Sequence, residues 1–117
     1  MSKSADELFD DIAKSFVSDP KISQSKMFGS PGLKINGKVF AFLMKGKLIL
    51  KLPKEEVDEL ITAREGKPFG HMFAPNNWRP MKEWVEVLSD DEKVWLKLAK
   101  KHVILFYLSS LTFFVEG

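Results

Sequence analysis

Leu8, Ile12 and Phe16 recur at four-residue spacing with charged and small residues between them. That period is one stripe of an α-helix. Ser4 followed by Glu7 forms a capping box, in which a hydroxyl and a carboxylate each take an orphan backbone N–H, and Asp19-Pro20 ends the helix. The pattern then shortens to alternation over residues 32–36, 38–44 and 47–52. Gly29, Pro31 and Gly32 mark a bend before them, and Asn36-Gly37 and Lys45-Gly46 separate them as tight turns. Three short strands in an antiparallel meander are predicted.

Pro53, Glu55 and Glu56 suit the start of a second helix with Val57, Leu60 and Ile61 as its buried stripe and Gly66 as its end. Phe69–Phe73 and Met81–Val87 read as strands around an Ala74–Asn77 loop. Ser89 and Glu92 form a second capping box, opening a long final helix with Trp95, Leu98 and Ala99 on one side. The order α-β-β-β-α-β-β-α predicts an α+β fold, an antiparallel sheet with flanking helices. A chain of 117 residues is the size of one domain, so residues 1–117 are read as a single unit with an apolar helical tail from about residue 102.

Strand parity predicts two unlike sheet faces. Val39, Ala41 and Leu43 share one face with Leu48 and Leu50, which must lie on the helices. Phe40, Phe42 and Ile49 share the other, rimmed by Lys38, Lys47 and Lys51.

Charge adds weight to that second face. The net charge is only +2, but Pro20–Lys54 holds eight lysines and no acid, whereas residues 1–19 sum to −3 and residues 55–66 to −4. Lysines around aromatic rings suit single-stranded nucleic acid, with charges on phosphates and rings on bases. The competing reading is a solvated rim around rings covered by a helix, a loop or a second subunit. No arginine occurs in the stretch, and the acidic segment Glu55–Glu59 follows it directly. Both features favour packing or a protein partner.

The tail, VILFYLSSLTFFVEG, is apolar nearly all round. A surface helix of that kind lies in a groove of its own domain or docks on another subunit. Val103, Phe106, Tyr107 and Phe113 are the candidate self-association residues, and a homodimer is expected.

Catalytic chemistry finds little footing. There is no cysteine, which excludes disulfides, thiolate nucleophiles and Cys-based metal sites. His71 and His102 lack metal-ligand spacing, and each is read as a structural or surface histidine. Asp10-Asp11 and Asp90-Asp91 are explained by helix starts and exposed faces. The Gly-rich MFGSPG lacks the Lys-Ser/Thr ending of a phosphate loop. No catalytic or metal-ligating residues, no cofactor and no small-molecule substrate are therefore assigned. The N-terminal stretch lacks the apolar core of a secretory signal, and the most apolar run falls short of the roughly twenty residues of a membrane span. A cytoplasmic protein without a membrane partner is expected.

Met27-Phe28-Gly29, Gly32-Leu33, Asn36-Gly37-Lys38, Phe40, Leu48 and Lys51-Leu52, followed by Arg79-Pro80-Met81-Lys82-Glu83-Trp84-Val85, resemble the TfoX N-terminal domain family, related to the MmcQ/YjbR-like domains. The resemblance runs from about residue 5 to residue 100. It implies an α+β fold like that of type III secretion chaperones. It also implies a link to transcriptional regulation of DNA uptake, since longer members regulate natural competence through proteins carrying a second domain. It implies no catalytic residues. Arg79 is the motif residue best placed for function, with a loop-holding salt bridge as the competing explanation.

Together these features predict a non-enzymatic regulatory domain that binds a protein partner or its own copy. The alternative is nucleic-acid binding through Lys34, Lys38, Lys47 and Lys51 with Phe40 and Phe42. A third reading is an enzyme acting on a phosphorylated or acidic small molecule near Gly29–Gly32 and Arg79.

Overall fold

The computed structural model describes residues 4–27, 29–70 and 80–116. Its elements run α1 (Ala5–Ser15), β1 (Ile22–Met27), β2 (Ser30–Ile35), β3 (Lys38–Met44), β4 (Lys47–Lys51), α2 (Lys54–Thr62), β5 (Gly66–Gly70), β6 (Pro80–Val87) and α3 (Glu92–Glu116). The fold is α+β, as the sequence predicts, with one strand added. β1 carries no apolar alternation, so its identity as a strand comes from pairing with β2 rather than from its own pattern.

The six strands form one antiparallel sheet in the order β1-β2-β3-β4-β6-β5. β1 to β4 make a meander. Asn36 and Gly37 both have positive φ, as do Lys45 and Gly46, so both two-residue hairpins bend in the sense that matches strand twist. The chain then leaves through α2, forms the edge strand β5 and returns as β6 between β5 and β4.

The three helices lie on one face. The α1 capping box forms, with Ser4 Oγ accepting from Glu7 N at 3.2 Å and Glu7 Oε1 accepting from Ser4 N at 3.1 Å. Leu8, Phe9, Ile12 and Phe16 of this segment join Leu33, Ala41, Leu48, Leu50, Val85 and Val87 of the sheet in one buried cluster. Trp95, Leu98, Ala99 and Val103 of α3 complete the core. Burying the four large α1 side chains contributes about 6–12 kcal/mol before conformational entropy is counted.

Two helix ends differ from the sequence reading. α2 closes at Arg64, not at Gly66. Arg64 takes a left-handed φ of 63°, while Glu65 N donates to Leu60 O and Arg64 N to Ile61 O, a Schellman arrangement. Gly66 instead begins β5, where a Cβ would stand 2.6 Å from Val85 Cγ2. At α3 the capping position is Asp91, one residue ahead of the first helical residue Glu92. Its Oδ1 accepts from Lys93 N at 2.8 Å and its carbonyl accepts from Trp95 N. Ser89 lies two residues further out, where its hydroxyl accepts from Asp91 N and its carbonyl from Trp95 Nε1.

Candidate interaction surfaces

The face assignment made from parity fails over Lys38–Phe40, for a local reason. Leu33 pairs with Ala41 but Lys34 pairs with Val39, so β3 carries one extra residue, Phe40, in a β-bulge. The bulge turns Phe40 onto the helix side, where it is 1% exposed and lies in the core. Its ring stacks on His102 of α3, with centroids 4.8 Å apart and planes 5° apart. Phe40 and Phe42 therefore do not form one platform. Lys38 is displaced with it, opposite the core residue Ile35 at the hairpin mouth and exposed.

Phe42 does lie on the outer face but is only 4% exposed, and Ile49 beside it is 1% exposed. Phe69 from β5 meets Phe42 edge-on at 5.8 Å, and Trp84 from β6 meets it at 5.7 Å. Among the described residues, those two half-buried rings are the aromatic groups the outer face offers. Neither is among the binding candidates that the sequence suggests. Alternation in β6 carried a signal for Trp84, since Val85 and Val87 take the helix side.

Register places Lys34, Lys47, Lys51 and Lys67 on this outer face, and alternation adds Lys82. Glu86, opposite Ile49 and Lys67, is the one acid at a described outward strand position. Among the described residues none of the five lysines is held in an ion pair. Ion pairs among the described residues, such as Lys14–Asp10, Lys54–Asp58 and Lys101–Glu56, lie elsewhere. The acidic α2 packs against β5 and β6, and its Glu56 is paired with α3. Arg79 and His71 lie outside the described residues.

The second surface is α3 itself. At 1.5 Å per residue this helix of 25 residues is about 37 Å long. Its inner side carries Trp95, Leu98, Ala99, His102 and Val103, then Phe106 and Tyr107 packed against the same core. Tyr107 Oη donates to Asp19 Oδ1 and Oδ2, at 3.0 and 2.9 Å, which ties the tail to the α1–β1 connection. Burial and this carboxylate raise the phenol's pKa. Val103, Phe106 and Tyr107, the expected self-association residues, are therefore engaged within their own domain. The side chain of Phe113 lies outside the described residues.

The exposed apolar residues are on the opposite side. Ile104 is 58% exposed and Leu108 51%. An open groove of about 640 Å³ runs along this side, floored by Leu96, Ile104 and Leu105 and bordered by Lys93, Lys97 and Lys100. A second cleft, of about 660 Å³, lies between α2 and α3, with Leu60, Leu88 and Leu98 as its floor and Glu59, Arg64 and Lys97 at its rim. Charges of both signs alternate there.

His102 is a titratable group that folding alters. Nδ1 lies 2.7 Å from Lys51 O, so with a carbonyl as partner it carries the proton and donates. Desolvation lowers the ring's pKa below 6.5, against the raising effect of that hydrogen bond and with the Lys51 charge also lowering it. Among the described residues no group of three His, Asp or Glu side chains could hold a metal ion. No helix of the described residues is long and apolar enough to cross a membrane.

This sheet-and-three-helix domain matches the model of the TfoX N-terminal domain over residues 14–103. That is most of the chain, which therefore belongs to the TfoX N-terminal domain family. Comparison with curated proteins and with solved structures finds no match. The family match ends at Val103, so Ile104, Leu108 and the rest of α3 lie beyond it.

Proposed function

We propose that this chain is a non-enzymatic regulatory domain that works by binding a protein through the outward side of α3, in the control of DNA-uptake genes. The observation that carries the reading is the exposure of Ile104 and Leu108 on a helix whose opposite side packs into the core from Trp95 to Tyr107. Isolated exposed apolar residues are ordinary, but two successive ones at helical spacing, on a groove bordered by lysines, make a contact surface. The regulatory setting comes from the family, whose longer members regulate competence. The test is transcription of DNA-uptake genes in a naturally competent bacterium deprived of its own regulator of this family and supplied with this chain. Induction by the wild-type chain, lost in Ile104→Glu/Leu108→Glu at equal abundance, supports the reading. Equal induction by both removes it.

A second reading is binding of nucleic acid on the outer sheet face, favoured by five lysines without ion-pair partners among the described residues. The platform would be Phe69 and Trp84 in place of Phe40 and Phe42. This reading requires oligonucleotide binding that weakens steeply with salt and is reduced for every sequence by Lys47→Glu. Absence of binding at low salt removes it.

A further inference from the structure

The cleft between α2 and α3 is pinned at both ends. At one end Glu56 of α2 is ion-paired with Lys101 of α3. At the other, Leu88 N, just ahead of α3, donates to Glu65 O, just past α2, at 3.0 Å. Those two links set the helices running in opposite directions. One helical turn in from the Glu56–Lys101 bridge, Glu59 and Lys97 line the cleft from the two helices. Among the described residues this second rung is left open, because neither Glu59 nor Lys97 holds an ion pair. Arg64, at the far end, holds none either. Its backbone is left-handed, with φ 63°, a conformation glycine adopts at lower cost, and backbone strain of that kind gathers at ligand clamps.

The floor between the two walls is aliphatic, built from Leu60, Leu88, Val94 and Leu98. Leu88 is 36% exposed, apolar surface open to water at the bottom of a hollow of about 660 Å³. A hollow of that size is typical of small-molecule sites. Glu56 and Lys101 neutralise each other, which leaves Glu59 and Glu65 against Arg64 and Lys97. A ligand with one charge would satisfy one sign and be repelled by the other. A ligand with both would close the open rung as Glu56 and Lys101 close theirs.

We propose that this cleft binds a small zwitterion with an aliphatic body, its ammonium on Glu59, its carboxylate on Lys97 and Arg64, and its apolar part on the leucine floor. Free aliphatic amino acids and short aliphatic peptides share that chemistry. The site goes beyond the docking role of the outward side of α3 and does not rest on it.

The test is isothermal titration calorimetry of the full chain with leucine and with leucyl-leucine. Saturable binding of at least one is expected, with a Kd of about 1 mM or below. Tighter leucine assigns the site to a free amino acid, and tighter leucyl-leucine to a peptide. Isocaproate keeps the body and the carboxylate, and isoamylamine keeps the body and the ammonium. Each should bind at least about 10-fold more weakly, the effect of losing one charged contact. Glu59→Gln and Lys97→Met should each weaken binding by a similar factor. Both side chains are exposed, so the unfolding midpoint should be retained. Amide NMR spectra of the wild-type chain should shift on titration at Leu60, Leu88 and Leu98, which locates the ligand without any variant. No saturable binding of either probe would overturn the proposal. So would equal binding of a singly charged analogue, an affinity unchanged in either variant, or shifts confined to residues outside the cleft.

Discussion

His102 lies flat on Phe40, ring planes 5° apart, while its Nδ1 donates to the carbonyl of Lys51. One side chain of α3 thereby meets both the bulge of β3 and the end of β4. Folding lowers the pKa of this histidine, so the unfolded chain takes up its proton at a higher pH than the folded one. Stability from this group is therefore complete above pH 6.5 and is lost as pH falls through the lowered folded value. Urea unfolding of the wild type and of His102→Phe across that window should show the difference between them shrinking in acid. A wild type that gains stability relative to the variant as pH falls would contradict the assignment.

The bulge makes Phe40 a core residue and leaves Val39 half-buried opposite Lys34. Phe40→Ala should cost about 3–5 kcal/mol, the range for removing a buried aromatic ring. Val39→Ala should cost clearly less. Simple alternation through β3 predicts the reverse order, so equilibrium unfolding of the two variants separates the two registers.

Gly66 is required by closeness. A Cβ there would come within 2.6 Å of Val85 Cγ2 and 3.3 Å of Leu60 Cβ, and Val85 is fully buried and stiff at χ1. Gly66→Ala should destabilise by about 1–3 kcal/mol. Adding Val85→Ala should then cost less than it does alone, and strictly additive losses in this double-mutant cycle would argue against the contact.

Arg64 holds a left-handed conformation at the end of α2, where glycine is the usual occupant. Arg64→Gly should raise stability by roughly 0.5–1 kcal/mol, with the unfolding slope in urea unchanged. A loss of stability would mean that the arginine side chain contributes more at the α2–α3 cleft than its backbone costs.

What was legible in the sequence was local. Ser4 and Glu7 cap each other within one turn, and Asn36-Gly37 sets its hairpin from two residues alone. What was not legible depends on a partner strand. β1 has a polar pattern and becomes a strand by pairing with β2. The displacement of Phe40 exists only as a shift of β3 against Leu33 and Lys34, so no property of residues 38–44 discloses it. The same holds for α3. Its tail is apolar nearly all round, and the seat of Phe106 and Tyr107, with Tyr107 bonded to Asp19 across 88 residues of chain, decides which side is left outside. Apolarity alone therefore points to Val103, Phe106 and Tyr107 for self-association, although these residues face inward. Of the outer-face residues that parity predicts, Phe42, Ile49, Lys47 and Lys51 lie on that face, whereas Phe40 and Lys38 do not.

The central claim, that the outward side of α3 is the working surface, is tested most directly by comparing two multiple variants in the gene-induction assay. One is Ile104→Glu/Leu108→Glu, and the other is Lys34→Glu/Lys47→Glu/Lys67→Glu on the outer sheet face. The account predicts that the α3 variant loses induction while the sheet variant keeps it, at equal abundance and with unfolding midpoints retained. Induction retained by the α3 variant and lost in the sheet variant would contradict it.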